Sequence, residues 1–305
     1  MQVTSKPMLA AAIALAVAGP AAAHKDSLTP EFKCSNCKDW NQPQKPFKIH
    51  GNTWYVGTSE LSALLITGPK GHILLDGALP QSAPLIEKNI KSLGFRMKDI
   101  KFILNSHAHF DHAGGIAALQ KASGAMAATS AHGAQVLKDG VIGKDDPLYD
   151  SADEPRIPKV AMVTGVGEGE AVKVGPLAVT AHLTPGHTPG STTWSWTSCE
   201  KAGCLSFVYV DSLTPVAADN FRYTGMPADR LRASIAKVAA LKCDIAVSTH
   251  PGFTDVLEKA AKSTPAHNAF IDPNSCRDYA AGADRRLDAK LATEQQPAPA
   301  GQPGG

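Results

Sequence analysis

Residues 107–112 read His-Ala-His-Phe-Asp-His, so three imidazoles and one carboxylate fall within six positions. Imidazole nitrogen and carboxylate oxygen are ligands that zinc accepts alongside thiolate. A lone histidine is more often a surface or satisfied core residue. Four ligand-type side chains in six positions, followed by Gly114-Gly115, point to metal instead. In an extended segment His107 and His109 project to the same side and can reach one ion. Asp111 and His112 follow the turn and can reach a second.

The neighbouring chain must hold this cluster in place. Residues 100–104 are apolar and read as a buried strand, and 116–121 have helical spacing. The cluster therefore sits on a loop at the C-terminal end of a strand. Two more histidines have the same setting. A strand at 177–183 runs into Thr184-Pro185-Gly186-His187-Thr188-Pro189-Gly190, where a rigid turn can aim one side chain. An apolar strand at 244–249 ends at His250-Pro251-Gly252. His182 lies inside its strand and reads as structural. His24, His50, His72, His132 and His267 lack a comparable context.

Further strands are expected at 53–56, 62–67, 72–75, 126–128, 171–174, 192–196 and 207–210. Gly68-Pro69-Lys70-Gly71 signals a hairpin between the second and third of these. Helices are expected at 82–93, closed by Gly94, and at 131–137, 228–241, 255–262 and 277–291. Residues 138–158 form a polar loop with Asp145-Asp146-Pro147, and long ordered loops are often functional. The polar, proline-bearing stretch from His24 to Lys48 wraps the surface. Its Trp40 reads as a packing residue that could also cover a neighbouring cleft. This periodicity describes a mixed α/β protein.

The chain has 305 residues, 43% hydrophobic and 19% charged, enough for one sizeable α/β domain. A net charge of +2 provides no basic field for nucleic acid. Lys6, the apolar run 8–18 and Ala21-Ala22-Ala23 have the form of a secretory signal, removed after Ala23. The apolar run is too short for a membrane anchor. Residues 1–23 are thus expected to be the signal, 24–294 the domain, and the Pro- and Gly-rich 295–305 a disordered tail. Export places the mature protein in the periplasm or outside the cell. It also makes disulfides plausible for the six cysteines, which allow 15 connectivities. Sequence proximity suggests Cys199–Cys204 across a hairpin turn, Cys243–Cys276, and a local Cys34–Cys37 bridge.

His-x-His-x-Asp-His is the signature of the metallo-β-lactamase superfamily, and residues 107–112 resemble it without departure. Gly186-His187-Thr188 resembles the next metal motif of that superfamily. The resemblance covers nearly the whole mature chain. It implies an αββα sandwich, two mixed sheets packed face to face with helices outside. It implies two zinc ions, one held by His107, His109 and His187 and the other by Asp111, His112 and His250. Each set leaves positions open, as catalytic sites do. Zinc so held lowers the pKa of bound water to about 7 and supplies a hydroxide nucleophile that Asp111 can orient. Asp76, at a strand end, would support the metal loop from behind.

Within the superfamily the pattern is most similar to subclass B3 of the metallo-β-lactamases. His112 replaces a cysteine ligand, and Ser212 stands where that cysteine would fall. The segments 51–57 and 181–190 look alike too. Ser212 and Thr214 would then bind the carboxylate of a β-lactam, the small-molecule substrate. Penicillins, cephalosporins and carbapenems all carry that carboxylate. The Cys34/Cys37 pair departs from relatives that place a distant cysteine pair across the first sheet, so the rim of the pocket is expected to differ. The main rival is a thioesterase or lactonase of the glyoxalase II kind, which places an Asp at the strand end before the last His. Asp211 would supply it after a one-residue change of register, and only one of Asp211 and Ser212 can face the site. A nuclease and a zinc-storage protein fit less well. Nothing in the sequence demands more than a monomer.

Overall fold

The structure is a computed structural model that describes residues 1, 2, 28–150, 156–201 and 203–296. The proposed signal and residues 297–305 of the proposed tail lie outside these, apart from Met1 and Gln2. Gln295 and Gln296 still hydrogen-bond to Leu291 and Thr293, so the last helix runs into the first residues of the expected tail.

The first half of the chain forms one sheet. Its strands are β1 (Phe47–His50), β2 (Thr53–Tyr55), β3 (Leu64–Ile66), β4 (His72–Leu75), β5 (Ile100–Leu104), β6 (Met126–Ser130) and β7 (Val163–Val166), side by side in chain order. β1 to β4 are antiparallel and β4 to β7 parallel. The second sheet contains β8 (Ala171–Val174), β9 (Leu177–Leu183), β10 (Thr192–Glu200), β11 (Gly203–Val210) and β12 (Ile245–Ser248), again in sequence order. Its strands are antiparallel except for the β11–β12 pair.

Strand periodicity explains the layers. Successive side chains point to opposite faces. Leu64, Ile66, Ile73 and Leu75 meet Trp194, Phe207, Tyr209 and Val247 between the sheets. Their neighbours Leu65 and Leu74 point outward, onto α2 (Ala83–Ser92) and α4 (Ile116–Ser123) through Ile86, Ile90 and Ile116. Val208 and Val210 point outward on the other side. They pack with Leu231 and Ile235 of α6 (Met226–Ala239) and Tyr279 and Ala283 of α8 (Ser275–Glu294). Both sheets are therefore covered by helices, which is the αββα sandwich. The remaining helices are α1 (Cys37–Trp40), α3 (Phe110–Ala113), α5 (Ala131–Asp139) and α7 (Val256–Lys262). No helix among the described residues is long and apolar enough to cross a membrane.

Three disulfides staple the fold: Cys34–Cys37, Cys199–Cys204 and Cys243–Cys276. The second bridges directly paired residues of β10 and β11, and the third ties the approach to β12 to the start of α8. The expected loop after α5 is present, and beyond it Val163–Val166 adds a seventh strand that the sequence reading does not include, with two of its four residues exposed.

Asp76 braces the loop after β5. It is fully buried, in a left-handed conformation with φ 59°. Its carboxylate accepts from Ser106 N at 2.8 Å, Ser106 Oγ at 2.6 Å, Asn105 Nδ2 at 3.0 Å and Tyr209 Oη at 2.8 Å. Burial pushes its pKa up, and the neighbouring His112 and these donors oppose that. Asp76→Ala would strand several buried donors, each costing about 1–3 kcal/mol. We expect a loss of roughly 3–4 kcal/mol, read as a lower denaturant midpoint, together with weaker metal binding.

Candidate metal centre

The metal loop is gripped by both sheets. The carbonyl of Ala128 on β6 accepts from Asn105 N, and the Asn105 carbonyl accepts from Trp194 Nε1 of β10. The Ser106 carbonyl accepts from Thr192 N, also on β10. His107 therefore emerges where the two sheets meet. After His109 the chain turns into α3, which carries Asp111 and His112. Close approach explains the glycines that follow. A Cβ on Gly115 would lie 2.2 Å from the Gly77 carbonyl, and one on Gly77 would lie 2.7 Å from Ile116 N.

The structure brings all six sequence-predicted ligand residues together. Possible ligand atoms of His107, His109 and His187 lie within 4.8 Å of one another. So do those of His107, Asp111 and His112. The first three rings form a triangle with centroids 4.7–4.9 Å apart. Asp111 Oδ2 lies 3.1 Å from His112 Nε2 and 3.2 Å from His250 Nε2, and those two nitrogens are 3.2 Å apart. His107 and His112, with centroids 4.4 Å apart, join the two sets.

Four of the five histidines have a partner behind the ring, whereas His112 Nδ1 is buried with no hydrogen-bond partner. His107 Nδ1 is 2.7 Å from Asp211 Oδ1, and its Nε2 is buried with no hydrogen-bond partner. His109 Nε2 is 3.0 Å from Asp146 Oδ1. His187 Nδ1 donates to the Thr214 carbonyl at 2.9 Å, and His250 Nδ1 to that of Glu60 at 3.2 Å. For His107 and His250 the other ring nitrogen, Nε2, is buried without a partner in the first and beside Asp111 and His112 in the second. Such outer partners fix the tautomer and raise ligand basicity. The orphaned His107 nitrogen and the convergence of neutral imidazoles with a carboxylate fit a metal ion.

The electrostatics agree. Burial, with neighbouring histidines adding to it, drives the pKa of His107 well below its ordinary value and that of His187 down to about 3. Both are therefore neutral near pH 7, the form that binds metal. Burial alone would raise Asp111. His112 and His250 overcome it and hold Asp111 well below the usual carboxylate range. His112 is correspondingly raised: burial opposes its charge, and Asp111 outweighs burial. Burial lifts Asp211 to about 7.

The site floors an open cleft of about 1100 Å³. His109, Asp111, His187 and His250 line it, as do Ser212 and Thr214. Asp211 does not. Its parity matches Tyr209, whose side chain points between the sheets, and it is wholly buried against His107. Ser212 Oγ pairs with Thr249 Oγ1 at 2.8 Å, and Thr214 Oγ1 lies 3.1 Å from His187 Nδ1. Trp40 both packs and lines the cleft: its ring stands 5.4 Å from His250 and 6.3 Å from Phe110. Cys34 and the two residues after it form the adjoining rim. His182 pairs with Ser195 at 2.7 Å, away from the site. The sequence reading weighs Asp211 only as a rival to Ser212 and passes over Asp146, though both sit against proposed ligands.

A sequence model of the metallo-beta-lactamase superfamily matches residues 57–250. The fold is similar to MEM-A1, a subclass B3 metallo-beta-lactamase from a soil metagenome library, with 49% identity and a TM-score of 0.81. That match covers 84% of this chain and 98% of the other. It is also similar to BJP-1, a subclass B3 metallo-beta-lactamase of Bradyrhizobium japonicum, with 34% identity and a TM-score of 0.78, over 85% and 98% of the two chains. A hydroxyacylglutathione hydrolase of Anaeromyxobacter dehalogenans (strain 2CP-C) is 32% identical over 152 residues, which are 50% of this chain and 47% of that protein. The match thus spans about half the length of that curated relative. The chain belongs to the metallo-beta-lactamase superfamily, and within it is most like subclass B3.

Proposed function

We propose that this hydrolase is an exported, zinc-dependent β-lactamase. It opens the lactam amide of penicillins, cephalosporins and carbapenems, and so confers resistance on the cell that makes it. The observation that carries this reading is the cleft-facing Ser212, with Asp211 turned behind His107. A thioesterase of this fold would need the carboxylate in the site. The identities of 34–49% to subclass B3 enzymes support the same reading.

His107, His109 and His187 would hold one zinc ion, and Asp111, His112 and His250 a second. Zinc bound there would supply Lewis acidity, which lowers the pKa of a water towards ~7 and polarises a carbonyl. The chain's own side chains do the rest. Asp111, kept ionised by His112 and His250, accepts a hydrogen bond from the attacking water and aims it. Ser212 and Thr214 offer hydroxyls to the substrate carboxylate. Trp40 and Phe253 give the cleft apolar walls that exclude water from the ring. The segment 1–23 would direct export, 24–294 would be the active domain and 295–305 a tail, with the mature protein acting as a monomer free in the periplasm or medium.

The test is loss of carbapenem absorbance with purified mature protein. We expect rapid turnover, its abolition by a chelator and its return with added zinc. Zinc-replete protein that leaves the lactam intact would overturn the proposal. The half-length match to a hydroxyacylglutathione hydrolase makes a thioesterase the second reading, and turnover of a glutathione thioester in that case would establish it.

A further inference from the structure

Asp146 lies between α5 and β7, on no element that carries a proposed metal ligand. It is 3% exposed. One of its oxygens, Oδ1, accepts from two donors: His109 Nε2 at 3.0 Å and the backbone N–H of Leu148 at 2.9 Å. The stretch that follows walls the cleft. Leu148 and Asp150 line it. The carbonyl of Pro147 accepts from Ala218 N at 2.9 Å, and Asn220 Nδ2 donates to Asp150 at 3.3 Å. Ala218 and Asn220 line the cleft as well. A single buried oxygen thus joins a proposed metal ligand to two segments of the cleft wall.

We propose that Asp146 is a positioning residue that couples metal at His109 to the shape of the substrate cleft. This rests on the metal-centre reading above. If His109 donates from Nε2, its lone pair is at Nδ1, and that nitrogen is the one it offers to the group formed with His107 and His187. A coordinated imidazole gives up electron density, so its remaining N–H becomes a stronger donor to Asp146. In return, the carboxylate makes the ring a better ligand. When the metal leaves, His109 can exchange tautomers and Asp146 loses its fixed donor. Leu148 N–H then shares an oxygen that is no longer held in place. The coupling is reciprocal: whatever order the wall gains from metal, metal gains in affinity from the ordered wall.

The test compares wild type, Asp146→Ala and Asp146→Asn by amide hydrogen exchange, loaded and chelated, and by zinc competition with a chromophoric chelator. In wild type, zinc removal is expected to speed exchange of residues 146–150 several-fold. In Asp146→Ala that segment exchanges fast with or without zinc, and one zinc binds about 10–100-fold more weakly. KM rises more than kcat falls, because the wall slackens. Asp146→Asn keeps an acceptor for both donors and recovers most of the affinity. Asp145→Asn, whose parent carboxylate is exposed and pairs with His132 at 3.0 Å, changes neither readout. Two results overturn the proposal. One is wild-type exchange at 146–150 that ignores zinc. The other is Asp146→Ala protein that melts lower yet holds zinc as tightly as wild type. The titration separates this from failure of the metal reading itself, since wild type would then take up no zinc at all.

Discussion

Replacing His107 with alanine is expected to lower lactam hydrolysis on the order of 10³-fold or more and to destabilise the fold as well. His107 is the one residue common to both groups of converging ligand atoms, so its loss reaches both proposed ions. It is also the partner of Asp211, and both side chains are fully buried. Breaking one side of a buried polar pair costs about 3–5 kcal/mol. The two effects can be separated. His107→Ala/Asp211→Ala should be less destabilised than the two single variants added together, by about 1–3 kcal/mol, because no unpaired carboxyl remains. Its activity should not return. Urea denaturation measures the first quantity and steady-state hydrolysis the second. Strict additivity of the stability losses would show that the pair contributes nothing.

Asp111→Asn should separate chemistry from folding in the opposite sense. Asparagine has the shape of aspartate, so the buried position keeps a hydrogen-bonding side chain of the same size. What is lost is the charge that His112 and His250 face at 3.1 and 3.2 Å. Without it, those two imidazoles remain with no anionic third ligand. We expect zinc content to fall from two to one per chain. We also expect kcat to fall about 10²–10⁴-fold, as when a positioned proton acceptor is removed. The metal-free protein should lose less stability than His107→Ala, because asparagine leaves His112 and His250 a neutral hydrogen-bonding partner in place. Metal analysis and kinetics on one preparation decide it, and two tightly bound ions in the variant would assign the second ion to other ligands.

Much of this site was legible because its residues are close in sequence or carry local punctuation. The 107–112 run needs only the strand before it and the two glycines after it to be placed. His187 and His250 each follow an apolar strand and stand beside Pro and Gly. The cysteine pairs followed from proximity. What escaped reading depends on distance or on weak patterning. Asp146 is 37 residues from His109, in a polar loop with another aspartate beside it, and nothing local distinguishes the two. β7 includes Gly165 and has two exposed positions in four, so it lacks the apolar alternation that marks a strand. β1 is as short and stands at the sheet edge. The choice between Asp211 and Ser212 depends on side-chain parity at the end of β11, which a single residue of uncertainty in the strand boundary reverses.

The division of the chain between the two sheets has a practical consequence. Everything through β7 belongs to one sheet and everything from β8 onward to the other. The turn joining them, residues 167–170, is exposed. Yet each proposed zinc set draws on both sides of that turn: His187 completes the first and His250 the second. A cut at the turn leaves each fragment with an intact set of strand partners and neither with a complete ligand set. The protein is therefore laid out as a two-fragment reporter, in which metal retention and lactam turnover signal that the pieces have found each other.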